Sequence, residues 1–113
     1  EAGDTEAQHR CAIMYQNGLG INVNPLLAFK WMKLAAEDGH ALAQHGLGFM
    51  YMEGDCVDKN GALAVKWFTK AAEQGLVGSM TTLAMIYEEG ELVKKDIKRA
   101  KEFYKKAGFE EQS

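Results

Sequence analysis

Several kinds of residue are scarce in this chain of 113 residues, and each scarcity narrows the class of protein. Two cysteines, Cys11 and Cys56, are too few for a disulfide framework, so they do not indicate a redox compartment. There is one proline, and 47% hydrophobic residues stand beside 26% charged residues, which is not the composition of a disordered or fibrous chain. The sequence predicts a single small folded domain.

Excess positive charge and long apolar runs are also lacking. Thirteen lysine and arginine residues stand against 16 aspartate and glutamate residues, giving a net charge of −3 and an isoelectric point near 5.6. Binding a nucleic-acid backbone requires a basic surface, so we expect no nucleic-acid partner. No apolar run approaches the roughly 18 residues that argue for a membrane span. We therefore expect a soluble module without direct membrane insertion.

A repeat of 36 residues is the dominant feature of the sequence. Shifting the chain by 36 positions superimposes tyrosines, glycines, alanines and aromatic residues on one another. The equivalent sets include Tyr15, Tyr51 and Tyr87; Gly18, Gly54 and Gly90; Ile21, Val57 and Val93; Ala28, Ala64 and Ala100; Trp31, Trp67 and Phe103; and Ala35, Ala71 and Ala107. So many identities in one register are typical of a repeat architecture. Glu1 shares a register with Glu37 and Glu73, at the end of a unit, and we therefore expect the chain to be cut from a longer array.

Each unit has the pattern of two helices. Asn24, Asn60 and Asp96 are equivalent and have the short polar side chains that cap helix N-termini. Glycines recur where each helix would stop, as in the set headed by Gly18 and in Gly39 and Gly75. The predicted first helices are Asp4–Asn17, Ala41–Glu53 and Ser79–Glu89, and the predicted second helices are Pro25–Asp38, Gly61–Gln74 and Ile97–Ala107.

These patterns predict an all-α fold, a right-handed superhelical α/α solenoid of three helix-turn-helix repeats. The repeats would span about 4–39, 40–75 and 76–111, within one domain covering 1–113. Apolar residues at i, i+3, i+4 and i+7 would form the buried stripe of each second helix. We expect the tyrosines and tryptophans of the repeat signature to lie in the core, because they recur where every unit must bury a side chain.

The residues of the middle unit resemble the Sel-like repeat (SLR), a relative of the tetratricopeptide repeat. They are Leu47, Gly48, Tyr51, Gly54, Val57, Asn60, Ala64, Trp67 and the run 70–75. Departures are mild: Cys11 stands for leucine, Asn24 and Asn60 for aspartate, Cys56 and Leu92 for the second loop glycine, and Phe103 for tryptophan. The resemblance implies an adaptor or regulatory protein that gathers partners, and it favours a bacterial periplasmic or secreted location.

Patterns that would indicate catalysis or a cofactor are weak. His9 and His45 are equivalent positions on adjacent first helices and could face each other, but a third metal ligand is missing. The stretch 55–61 resembles a calcium loop only superficially, since Cys56 stands where an acidic ligand is needed. Spacing specifies no nucleophile–base pair. We expect no enzyme activity, no cofactor and no metal; a metal-binding or enzyme-associated module is a lesser alternative.

The expected binding surface is the concave wall of the solenoid, which the first helices form. Ile13, Phe49 and Met85 are equivalent and would carry an apolar strip across the repeats, with Met52 as an adaptable contact. The inward-facing positions, taken from the tetratricopeptide pattern, are Glu6, His9, Ile13, Gln16, Leu42, His45, Phe49, Met52, Gly78, Thr81, Met85 and Glu88. They predict a protein or peptide partner that binds apolar anchors within a polar surround.

Three alternatives remain open from the sequence. Tight curvature would close the groove, so that the inward-facing side chains pack only between neighbouring first helices. In a second alternative, the chain is a structural spacer inside a longer repeat protein, whose neighbouring parts bind the partner. Self-association through the open ends of the array is the third possibility.

Overall fold

The computed structural model describes residues 5–18 and 23–109, and it contains six α-helices arranged as three helical hairpins. They are α1 (Thr5–Asn17), α2 (Pro25–Glu37), α3 (Ala41–Glu53), α4 (Gly61–Glu73), α5 (Val77–Glu89) and α6 (Ile97–Lys106). The described part of the chain has no β-strand and no helix long and apolar enough to cross a membrane. Each helix packs against the next one along the chain, giving an elongated body of 50 × 26 × 21 Å. The predicted all-α repeat solenoid is confirmed.

The second helices begin where the sequence predicts. Asn24, Asn60 and Asp96 each accept a hydrogen bond on the side-chain oxygen from a backbone N–H three residues later, at 3.0–3.1 Å. Such a bond satisfies one of the backbone donors left without a partner at a helix start. The backbone N–H of each cap also donates to the carbonyl of the repeat tyrosine nine residues earlier, at 2.8–2.9 Å. The spacing of tyrosine and cap is therefore what closes each hairpin.

Left-handed residues end the first helices, as predicted. Gly54 and Gly90 have φ angles of 72° and 71° and donate their backbone N–H to the carbonyl four residues earlier. Cys56 also has a positive φ, 70°, at the position where the SLR pattern has its second loop glycine. The loop after α3 therefore keeps a glycine-type conformation without the glycine, which is unfavourable for a residue with a Cβ.

Some predicted boundaries need correction. Helix α5 begins at Val77 and not at Ser79, because Leu76 provides the N-cap conformation without a capping side chain. Three helices end one residue earlier than predicted, at Glu37, Glu73 and Lys106. Asp4, Glu1, Gly3 and Ile21, which entered the predicted pattern, lie outside the described residues.

The core runs along the length of the solenoid and is best covered in the central repeat. Tyr51 and Trp67 are buried there, and Leu47 and Phe68 are fully buried. The equivalent signature aromatics of the outer repeats are only half-buried: Tyr15, Trp31, Tyr87 and Phe103. The prediction that all of these aromatics lie in the core is therefore correct for the central repeat and too strong for the outer two. All four nevertheless pack against the buried core.

Candidate functional site

The first-helix surface comprises the predicted inward-facing residues of α1, α3 and α5, and none of them is fully buried. Leu42 and Met85 are exposed to 51% and 46%. Glu6, Gly78 and Glu88 are also exposed. The half-buried members are His9, Ile13, Gln16, His45, Phe49, Met52 and Thr81.

The apolar strip of the first-helix surface is not uniformly exposed. Phe49 makes edge-to-face contacts with Phe68 and His45, at centroid distances of 5.1 and 4.9 Å. Ile13 and Met52 also pack against the buried core. Met85, at the C-terminal end of the strip, is the exposed member, with 46% of its surface in solvent. The strip is therefore an extension of the core in the first two repeats and a free apolar contact in the third.

Beside His45, Gly78 occupies the position where the other repeats have Glu6 and Leu42, so no side chain projects there. A side-chain carbon added at Gly78 would lie 3.8 Å from His45 Cε1, in ordinary van der Waals contact. The missing side chain thus leaves one edge of the His45 ring accessible from the first-helix surface. We call this position without a side chain, beside His45, the Gly78 notch.

His45 also bonds to a residue that sequence reasoning missed. Its Nδ1 lies 2.6 Å from the hydroxyl oxygen of Ser79 on α5, although spacing in the sequence specified no such pair. Ser79 is fully buried, so a substrate has no access to its hydroxyl in this structure. The bond therefore ties the second repeat to the third. Burial lowers the pKa of His45, which keeps the ring neutral near pH 7.

His9, which the sequence suggested could face His45, contacts His40 instead. The rings of His9 and His40 lie 4.7 Å apart. His40 Nδ1 accepts from the backbone N–H of Ala43, capping α3, and its Nε2–H donates to Glu6 at 3.1 Å. That hydrogen bond lowers the pKa of Glu6, whereas burial, reinforced by His40, lowers the pKa of His9. His40 was missed because histidine is not a usual N-cap residue.

Among residues 5–18 and 23–109, no group of three or more His, Cys, Asp and Glu side chains has an arrangement that could hold a metal ion. The remaining polar members of the first-helix surface bond within the protein. Gln16 donates to Asp55 at 3.0 Å, Thr81 to the Val77 carbonyl at 3.2 Å, and Tyr104 to Glu88 at 2.9 Å. These bonds hold the polar side chains in place around the apolar ones.

Two depressions lie next to this surface. A small one of about 210 Å³ adjoins Met52 and lies against Ile86 and Leu92. A larger one of about 520 Å³ lies at the C-terminal end of the solenoid, and we call it the terminal groove. It is lined by Lys98, Lys101, Glu102, Tyr104, Lys105 and Phe109, and Glu88 closes one side. Sequence reasoning missed this groove, although the concentration of lysine in the last helix was a visible signal.

Comparison with known proteins gives a consistent result. A family model described as Sel1 repeat matches residues 5–40, 41–76 and 78–108. A protective antigen of uropathogenic Escherichia coli, c5321, which displays an SLR fold, is 40% identical, with a TM-score of 0.89 over 93% of this chain. A Sel1 repeat protein from Oxalobacter formigenes is 36% identical, with a TM-score of 0.86 over 92% of this chain.

The chain spans only 22% of c5321 and 43% of the Oxalobacter protein. Cysteine-rich protein B of Helicobacter pylori is similar in fold alone, at 21% identity and a TM-score of 0.72, over 92% of this chain and 83% of that protein. No curated protein matches the chain. These similarities identify the fold of the chain but not its binding partner.

Proposed function

Because this chain belongs to the Sel1 repeat family, we propose that it is a non-enzymatic module whose first-helix surface binds a protein or peptide partner. The observation that carries the proposal is the exposure of Leu42 and Met85 to 51% and 46% on this surface. About half of the surface of each of these large apolar side chains is in contact with water. A partner that covered them would gain free energy, since burying apolar surface is favourable.

The Gly78 notch adds the accessible edge of the His45 ring to these exposed contacts. An aromatic or aliphatic side chain of a partner that enters the notch would lie against the accessible edge of His45, which Phe49 and Phe68 support from behind. A partner side chain that packs against a cluster of aromatic rings is typical of the residues that dominate binding energy. Gln16 and Glu88, held by Asp55 and Tyr104, then provide part of the polar rim.

The experiment starts from a random peptide library displayed on phage, because the chemistry of the surface is better defined than its partner. Peptides selected on the parent protein would be measured against a variant with Leu42→Ala and Met85→Ala. We expect affinity to fall about tenfold or more, as for the loss of a central apolar contact. Leu26→Ala is the matched control, because Leu26 is 80% exposed on a second helix.

Gly78→Leu provides a test that does not depend on removing contacts. The first carbon of the new side chain would lie in ordinary contact with His45, and leucine is a better helix former than glycine. Peptide affinity should fall about tenfold while the melting temperature stays the same or rises. Peptides that bind both variants as tightly as the parent would show that the partner uses another surface.

A structural spacer is the second candidate, and the packing of Ile13, Phe49 and Met52 against the core favours it. These side chains contribute to the cohesion of the solenoid whether or not a partner is present. A library that yields no peptide sensitive to Leu42→Ala and Met85→Ala would support this candidate.

A further inference from the structure

We propose that the outer face of the second helices binds the surface of an anionic lipid bilayer. This face, which we call the second-helix face, comprises three positions of each second helix that lie four residues apart and therefore on one side of the helix. All nine residues are exposed, and five of them are lysine: Leu26, Lys30, Leu34, Ala62, Lys66, Lys70, Lys98, Glu102 and Lys106. The proposal does not depend on the function proposed for the first-helix surface.

The central repeat shows that the second-helix face is a side of the solenoid and not one of its ends. Helix α4 packs against α3 before it and against α5 after it. With both neighbours in place, Phe68 is fully buried, whereas Ala62, Lys66 and Lys70 remain exposed. Additional repeats at either end would therefore leave this face open.

Positive charge is concentrated in the second helices of this acidic chain. Helices α2, α4 and α6 contain nine of the 13 lysine and arginine residues but three of the 16 aspartate and glutamate residues. The rest of the chain therefore carries four basic and 13 acidic residues. A negatively charged surface would attract the second helices and repel the remainder, and so would orient the solenoid with the second-helix face towards it.

The lysines of the second-helix face lie over the signature aromatic rings of their repeats. Each ammonium nitrogen is 5.3–5.8 Å from the centre of the ring, within the range of a cation–π interaction. The pairs are Lys30 with Trp31, Lys66 with Trp67 and Lys106 with Phe103. None of the three lysines is paired with a carboxylate of residues 5–18 and 23–109, so their charges are available to a ligand.

The kind of basic residue favours a surface of diffuse charge over a single anionic group. Lysine acts as a point charge, whereas arginine forms paired hydrogen bonds with a carboxylate or phosphate in a fixed geometry. The arginine of the second helices, Arg99, lies outside the second-helix face and donates to the Tyr87 hydroxyl at 3.3 Å. Lysines spread over three helices therefore suit the uniform negative charge of a bilayer better than one acidic peptide segment.

Leucines beside the lysines distinguish a bilayer from a nucleic acid. Leu26 is 80% exposed and Leu34 is 37% exposed, and they lie on either side of Lys30 along α2. A bilayer has an apolar layer below its headgroups, which such side chains can reach while the lysines stay among the headgroups. A nucleic-acid backbone offers negative charge without that layer.

The probe is a pair of lipid vesicles, one made of equal parts phosphatidylglycerol and phosphatidylcholine and one made of phosphatidylcholine alone. In co-sedimentation we expect the protein to bind the anionic vesicles and not the neutral ones. Binding should fall several-fold between about 50 and 200 mM salt, because exposed charges are screened. Leu26→Ala should weaken binding to the anionic vesicles several-fold, since it removes the most exposed apolar side chain of the second-helix face.

Charge reversal in the central repeat gives the sharpest contrast. Lys66→Glu with Lys70→Glu should weaken binding to the anionic vesicles about tenfold or more. Arg10→Glu with Lys59→Glu is the matched control, because it makes the same charge change at exposed positions, on α1 and beside Met52. We expect this control to lose about twofold at most, because distant exposed charges are screened. Lys66→Arg with Lys70→Arg should keep the binding, since it keeps the charge. Circular dichroism melting would verify that every variant is folded.

Four outcomes would overturn the proposal. They are an equal loss of affinity in the two charge-reversal pairs, equal binding to the two kinds of vesicle, vesicle binding that Leu26→Ala leaves unchanged, and binding to polyglutamate or duplex DNA as tight as binding to the anionic vesicles. A variant with Leu42→Ala and Met85→Ala should bind the anionic vesicles as the parent protein does. Failure of the second-helix face and failure of the first-helix surface are therefore distinguishable.

Discussion

The central repeat and the C-terminal repeat share one register but have different environments. In the central repeat, α3 and α4, the side chains of Trp67 and Phe68 are buried. In the C-terminal repeat, α5 and α6, their equivalents Phe103 and Tyr104 are half-buried, and basic residues dominate α6. The comparison teaches that the repeat register determines where a side chain points, whereas the neighbouring repeat determines whether it is covered. Tyrosine at position 104, where the central repeat has Phe68, suits this greater exposure. Its hydroxyl needs a hydrogen-bond partner, and it donates to Glu88.

The largest difference between the two repeats is expected for alanine at these two positions. Phe68→Ala should reduce the free energy of unfolding by about 3–5 kcal/mol, the usual cost of deleting a fully buried aromatic side chain. Tyr104→Ala should cost about 1 kcal/mol, because much of its surface already faces solvent. Urea unfolding of both variants measures the difference. Equal costs would mean that Tyr104 is as well covered as Phe68.

Substitution of the glycines that end α3 and α5 should give a smaller difference in stability, and here the C-terminal repeat should lose more than the central repeat. Alanine in the left-handed region costs about 1–2 kcal/mol at either site. At Gly90 a side-chain carbon would also lie 2.6 Å from Cβ of Lys95, whereas at Gly54 the nearest contact, with Lys59, is 3.4 Å. Gly90→Ala should therefore lower the melting temperature more than Gly54→Ala. If the order is reversed, the loop after α5 adapts more readily than the structure indicates.

The smallest expected effect is a dependence on pH that is confined to the first two repeats. Burial lowers the pKa values of His9 and His45 below the ordinary value of 6.5, so the unfolded chain binds more protons than the folded chain just below that pH. Stability should fall as the pH drops from about 7.5 to 5.5, through the range in which histidine titrates. Thermal unfolding at several pH values measures this, and His45→Gln should flatten the profile.

Hydrogen exchange gives the regional readout of the same prediction. All three histidines lie before residue 46, so α6 contains none. Amide protection in α3 should therefore decrease on acidification more than protection in α6. A uniform decrease across the three repeats would mean that the solenoid opens as one unit and that the histidines do not act locally.

Most of the fold was predictable from the sequence, because the repeat brings many weak signals into one register. Polar caps and stop glycines placed the helix ends, and the error at α5 arose where Leu76 provides no capping side chain. The exposure of the outer aromatics was not predictable from the pattern. A residue such as Tyr15 has the same signature as Tyr51 and differs only in what covers it.

The candidate site was less predictable than the fold. The positions of the first-helix surface follow from helical periodicity, but the contact of Phe49 with Phe68 depends on the angle between α3 and α4. The bond between His45 and Ser79 joins residues 34 positions apart. The repeat pattern gives no sign of it, because positions 7 and 43, which are equivalent to Ser79, hold alanine. The lysines of the terminal groove can be read directly from the sequence. The net charge of −3 gives no sign of them, because it averages over the whole chain.

The packing of each helix on its immediate successor has a kinetic consequence. Because the main contacts join segments that are close along the chain, the entropy lost in closing loops during folding is small at every step. Proteins of low contact order fold in microseconds to milliseconds. The well-covered central hairpin is the natural nucleus, from which structure would spread outward in both directions. Under load or in denaturant, the loss of structure should run the other way, from the two ends towards α3 and α4.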